Sequence, residues 1–81
     1  MGRLIMTKFE TIEDKPPSLE YAQEFVGGSV EMLYLSDGSQ LLFDEEGLFK
    51  KDPEPNPLAS ELANRQIVGN ALHLKSKAVW T

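Results

Sequence analysis

The sequence predicts an α+β fold in one small domain, with the element order strand, helix, strand, strand, helix, strand. Three observations carry this. Two segments bounded by capping residues show apolar side chains at helical spacing. Four segments rich in β-branched, aromatic and aliphatic residues surround them, bounded by glycine, proline and asparagine. An Asp-Gly dipeptide, residues 37 and 38, joins two of those strands where a tight hairpin turn belongs. The simplest topology with this order is a mainly antiparallel sheet carrying two short helices on one face, the split βαβ arrangement of ferredoxin-like domains.

Residues 3–12 (RLIMTKFETI) make the first strand, ended by Glu13-Asp14-Lys15 and then Pro16-Pro17. Ser18 is an N-cap, because its hydroxyl can accept an early helical N–H. Leu19, Ala22, Phe25 and Val26 then recur on one face, so Leu19 to Val26 is an amphipathic helix of about two turns. Gly27-Gly28 stops it, the first glycine suiting the left-handed position past a helix end. Residues 29–36 (SVEMLYLS) and 39–45 (SQLLFDE) are the second and third strands. A two-residue type I′ loop at Asp37-Gly38 places Ser36 opposite Ser39, Tyr34 opposite Leu41, Leu33 opposite Leu42, Met32 opposite Phe43 and Glu31 opposite Asp44. Both faces of this hairpin are apolar near the turn, which calls for a covered sheet or a subunit contact.

Residues 50–57 (KKDPEPNP) read as a loop, since a residue before proline avoids helical angles. Asn56 caps the second helix and Pro57 occupies its first position, where a missing N–H costs nothing. Leu58, Ala59, Leu62 and Ala63 form its apolar stripe and Asn64 ends it. Residues 67–74 (IVGNALHL) are the last strand, interrupted at Gly69-Asn70, a signal of a bulge or a close backbone approach. The tail 75–81 carries little pattern and packs loosely, with Trp80 placed to fold back on the body.

Composition limits what such a chain does. At 81 residues it buries only roughly 60% of its unfolded surface, so one small core is the limit. The apolar content of 41% against 26% charged excludes wholesale disorder. With no cysteine, disulfides, thiolate nucleophiles and cysteine-held zinc are all excluded. A small core without staples points to a homo-oligomer. The formal charge of −5 disfavours nucleic-acid phosphates and anionic membranes. No apolar run approaches the ~20 residues of a membrane span. Leu4-Ile5-Met6 is too short for a signal-peptide core, and Met6 stands where a myristoylation signal needs Ser or Thr. The protein is expected in the cytoplasm.

Candidate chemistry is sparse. Hard cations need several converging oxygens, and along a strand Asp44 and Glu46 point to one side while Glu45 points to the other. Glu31 and Asp44, paired across the hairpin, are the candidate metal ligands, because like charges set opposite one another need water, a cation or another register. Gly47 marks the same stretch as a turn leaving the sheet. His73, the single histidine, shares a face with Ala71 and Lys75, the more polar side, and is expected exposed or half-exposed. Ser29, Ser36 and Ser39 flank turns without a nucleophile-elbow pattern. Gly27-Gly28 follow a helix, whereas phosphate loops place glycines before one. The aromatic residues fall mostly at core positions and the basic residues are scattered, unlike a single-strand binder. No catalytic residue and no cofactor is assigned.

Four segments, taken in order, resemble one family. They are Val26-Gly27-Gly28-Ser29-Val30-Glu31, Asp44-Glu45-Glu46-Gly47-Leu48, Asn56-Pro57-Leu58-Ala59 and Ile67-Val68-Gly69-Asn70-Ala71-Leu72. Their order and spacing are similar to short proteins carried mostly by bacteriophages and catalogued as domain of unknown function number thirty-eight forty-six, over about residues 18 to 74. Asp44 stands where that family usually has Asn, and residues 50–55 are longer or more charged than its usual link. The resemblance implies a phage-type accessory protein acting inside a bacterial host and supplies no reaction. The leading functional reading is therefore a non-enzymatic module that binds a partner, such as a host protein, or self-assembles. The alternative is a small-molecule or nucleotide binder with a site near the Asp44–Gly47 turn, formed by Asp44, Glu45, Asn56 and Asn70. A carboxylate-dependent metal hydrolase comes third.

Overall fold

Ser18 accepts the Tyr21 N–H on its Oγ at 3.0 Å and opens the first helix, α1 (Leu19–Val26). Gly27, left-handed at φ 82°, closes it by donating to the Gln23 carbonyl. Asn56 does the same for α2 (Pro57–Ala63), its Oδ1 accepting the Ala59 N–H with Pro57 in the first turn, and left-handed Asn64 ends that helix. The strands are β1 (Phe9–Ile12), β2 (Val30–Tyr34), β3 (Gln40–Asp44) and β4 (Ala71–Leu74). This computed structural model describes residues 7–44, 46 and 54–81. Expectations resting on residues 1–6, on Glu45 or on residues 47–53 lie outside the described residues. The α+β class and the element order hold, and within the described residues a 3₁₀ turn, Ser76–Ala78, follows β4.

The four strands form one mixed sheet in the order β1-β4-β3-β2. β1 runs parallel to β4, whereas the other two pairings are antiparallel. This is not the ferredoxin-like strand order, which would place β1 between β4 and β3; here β1 lies at the sheet edge. The reason lies in the connections. α1 carries the chain from one edge strand to the other across β4 and β3, while α2 joins neighbouring antiparallel strands and needs no crossover.

The two helices consequently cover opposite faces of the sheet, not one. Ala22 of α1 packs with Leu42, Leu72, Leu74 and Ala78, flanked by Ile12, Phe25, Val30, Met32 and Trp80. Ala59 of α2 packs on the other face with Leu41, Phe43, Ile67 and Ala71, flanked by Phe9, Leu33, Leu35 and Ala63. Covering both faces explains why all five residues of β3 are buried. The tail is tied to the α1 side. Gln40 exchanges two hydrogen bonds with the Trp80 backbone, at 2.7 and 2.6 Å, and Trp80 Nε1 donates to the Pro17 carbonyl.

The hairpin register differs from expectation by one residue. Leu35 N–H donates to the Ser39 carbonyl and Gly38 N–H to the Leu35 carbonyl. The loop is therefore three residues, Ser36-Asp37-Gly38, a turn followed by a left-handed glycine at φ 89°. Asp37 selects it, because its Oδ1 accepts the Ser39 N–H at 3.0 Å. Leu33 then faces Leu41, Met32 faces Leu42, Tyr34 faces Gln40, and Glu31 faces Phe43, while Asp44 faces Val30. Glu31 and Asp44 are thus on opposite faces of the sheet.

The segment 67–74 is not one strand. Val68 bridges Pro55, Asn56 N–H donates to the Ile67 carbonyl, and Gly69 N–H donates to the Glu54 carbonyl, so residues 67–69 pair with the entry to α2. Gly69 at φ 79° then turns the chain into β4. Among the described residues no helix is long and apolar enough to cross a membrane.

Candidate functional site

Two of the four residues proposed from sequence as a ligand site serve as backbone ties. Asn56 is 2% exposed, and its Nδ2 donates to the Lys8 and Gly69 carbonyls at 3.1 and 2.9 Å. Asn70 accepts the Lys8 N–H on Oδ1 at 2.7 Å and donates from Nδ2 to the Phe25 carbonyl at 2.9 Å. The two asparagines together clamp Lys8, fixing the start of β1 to both helices. Asp44 is buried on the α1 face, where its Oδ1 accepts the Glu46 N–H at 3.0 Å. Gly28 N–H donates to the Gln23 carbonyl at 3.3 Å as the helix ends, and a Cβ there would sit 2.7 Å from Asp44 Oδ2, so a larger residue would displace that carboxylate. Glu45 is outside the described residues. Among the described residues no three His, Asp or Glu side chains converge as a metal site would require.

The structure opens a cleft elsewhere, on the α2 face. Leu58, Glu61 and Leu62 of α2 form one wall, Phe9 and Thr11 of β1 the other, and His73 of β4 the floor, around a cavity of about 340 Å³. The expected apolar stripe of α2 divides here. Ala59 is buried and Ala63 half-buried against the sheet, while Leu58 and Leu62 remain 60% and 42% exposed at the rim. The two alanines bring the helix close to the sheet, which leaves the longer leucines at the rim. Polar bonds complete its anchoring. Beyond the Asn56 cap, Ser60 Oγ donates to the Ile67 carbonyl and accepts the Ile67 N–H. Arg65 lies 5.5 Å over the Phe43 ring on the same face of the sheet.

His73 is buried, not exposed as its face suggested, because α2 and Phe9 cover that face; the Phe9 and His73 rings stack at 6.2 Å. Its protonation pattern follows from its neighbours. Asp37, an ionised carboxylate, only accepts, and Ser39 Oγ lies 2.5 Å from its Oδ1, so the single hydroxyl proton of Ser39 is given to Asp37. Ser39 Oγ must then accept from His73 Nε2 at 2.9 Å, which places the ring proton on Nε2. Nδ1 is left as an acceptor, 3.4 Å from Thr11 Oγ1. Burial pushes the His73 pKa down, and the Lys75 charge adds to this against the opposing pull of Asp37 and Glu13. The Ser39 hydrogen bonds hold Asp37 below the usual carboxylate range.

Sequence reasoning missed Phe9, Thr11, Leu58, Glu61 and Leu62 as a group. The available signal was the stripe itself, in which two alanines stand beside two longer leucines. Nothing local in the sequence brings β1 beside β4, 62 positions later, which is the pairing that completes the cleft. A family model described as a domain of unknown function, DUF3846, matches residues 4–78. No curated protein and no solved structure matches the chain.

Proposed function

We propose, from the premise that the chain belongs to the DUF3846 family of domains of unknown function, that it is a non-enzymatic accessory protein of phage type. It works in the host-cell cytoplasm by binding, and its binding face is the cleft between α2 and the β1–β4 edge. The observation that carries this reading is the pair Leu58 and Leu62. They stand one helical turn apart on the rim of a cavity of about 340 Å³, while α2 is anchored by other residues. Small-molecule sites span roughly 300–1,000 Å³ and combine apolar walls with a few placed polar groups, as here Phe9 and the leucines stand with Thr11, Glu61 and His73. The polar chain beneath is unsuited to turnover. Ser39 is buried and its proton is committed to Asp37, while His73 Nε2 is already protonated toward Ser39, so His73 does not draw a proton from that hydroxyl.

The rival site near the Asp44–Gly47 turn has less support, because the Asn56 and Asn70 amides are occupied by backbone partners and Asp44 packs against Gly28. A metal-dependent hydrolase built on Glu31 and Asp44 is disfavoured by their placement on opposite faces.

An NMR screen with neutral aromatic fragments, run beside native mass spectrometry of the purified chain, tests the reading. Binding should move the amides of Phe9, Thr11, Leu58, Leu62 and His73 together, and the double variant L58S/L62S should lose this response while keeping a folded spectrum. Cleft amides that stay still, together with a bare monomer in the mass spectrum, would sink it. The same mass spectrum reports the subunit number and tests the expected homo-oligomer.

A further inference from the structure

Two of the three polar side chains lining the cleft among the described residues, Glu61 and His73, present acceptors to it. Glu61 carries a carboxylate, which only accepts. His73 presents Nδ1, an acceptor because Nε2 holds the ring proton against Ser39. Thr11 has the single donor among the lining side chains, and at 3.4 Å from Nδ1 its hydroxyl makes a long contact that a better donor could replace. Among the described residues no basic side chain lines the cavity. Lys75, whose charge bears on His73, is set 3.9 Å from Glu13, and Glu10, on the opposite side of β1 from Phe9 and Thr11, bonds Tyr21 of α1. A net charge of −5 adds a field of the same sign.

We infer that the cleft takes a small amphipathic cation, an alkyl or aryl group carrying a protonated amine. The inference rests on the cleft being the binding face. The apolar portion packs between Phe9 and the two leucines, and the ammonium donates to Glu61 and to His73 Nδ1. An anion of the same size would meet a carboxylate and a lone pair. A purely apolar ligand would fit the walls but leave Nδ1 with the long Thr11 contact it already has, gaining nothing from the polar groups.

Three probes on one phenylethyl skeleton, titrated into the full chain, separate the outcomes: 2-phenylethylammonium, 2-phenylethanol and 3-phenylpropanoate, each followed by cleft amide shifts and by the His73 ring nitrogens. The ammonium should bind about tenfold more tightly than the carboxylate, with the alcohol between, since a charge-assisted bond at a half-buried site exceeds a neutral one. Nδ1 should shift more than Nε2. Glu61→Gln, a change at an exposed helix position, should shrink the cation's advantage over the alcohol severalfold, because the charge-assisted bond loses more than the neutral one. Equal binding of ammonium and alcohol, or an advantage untouched by Glu61→Gln, overturns the cation and leaves the cleft standing as a binding face. Failure of all three probes to move the cleft overturns both.

Discussion

The two faces of the sheet are held by different physics. On the α1 face, Ala22, Leu42, Leu72, Leu74 and Ala78 are wholly buried, and Trp80 with Gln40 seals the periphery. On the α2 face the helix buries only Ala59, and its position depends on polar ties from Asn56 and Ser60. One face is closed by apolar contact. The other packs Ala59 on Leu41, Phe43, Ile67 and Ala71 but is open along the side of its helix, where Leu58 and Leu62 stand partly exposed. Binding surfaces arise where a fold is anchored by something other than the surface itself.

The largest expected effect probes the closed face. Leu72→Ala removes a buried side chain from the central strand β4 and should cost about 2–5 kcal/mol, read from urea unfolding. That approaches the whole stability of a domain this small. Asn56→Ala comes next and is the sharper test of the contrast. It deletes a helix cap, worth about 1 kcal/mol, and strips the side-chain donor from the carbonyls of Lys8 and Gly69, for a total of about 2–4 kcal/mol. A loss below that of an ordinary surface substitution would mean that α2 is held by apolar contact after all, and the distinction between the faces would fail.

A smaller effect depends on pH. His73 has a folded pKa below its unfolded value near 6.5, so between the two values the unfolded chain binds more protons. Stability from this source is present above pH 6.5 and is lost as pH falls through the folded pKa. Asp37, also lowered, acts in a separate window, losing its contribution as pH falls below its ordinary 3.8. Urea midpoints measured from pH 7.5 to 3 should decline for the wild type in both windows. His73→Phe should flatten the upper decline and leave the loss below pH 4 in place. An unchanged slope would show that His73 is not the group responsible.

Much of the fold was legible because local chemistry fixed it. Ser18, Gly27, Asn56, Pro57 and Asn64 bound both helices where caps and stops predict. The register and the layers were not. Asp37-Gly38 suits either a two- or a three-residue loop, and with apolar residues on both faces of the hairpin no pattern penalises a slip of one. Asp37 selects the three-residue loop by accepting from Ser39, a local bond, but the bond Ser39 accepts from His73 reaches 34 positions along the chain. The expectation of an exposed His73 failed for the same reason, since its burial comes from a helix on the face that sequence alternation marked as polar. Asn56 and Asn70 were read from sequence as ligand-site candidates, whereas the partners of their amides lie on Lys8, Gly69 and Phe25, which no local motif discloses.

The smallest expected effect is the most discriminating. Leu62→Ser places a hydroxyl where the leucine is already 42% exposed, and the helix keeps Asn56, Ser60 and Ala59 as its anchors. Leu62 is somewhat more than half buried, and transfer arithmetic of roughly 25 cal/mol per Å² applied to the apolar area lost to serine gives a loss of about 1–2 kcal/mol. Ala59→Ser on the same helix, by contrast, puts a polar group into a fully buried site and should cost more than Leu62→Ser despite deleting no apolar atoms. Paired urea curves decide the order. A cost for Leu62→Ser at or above that for Ala59→Ser would return the leucine to the core and remove the reason to regard the cleft as a surface kept for a partner.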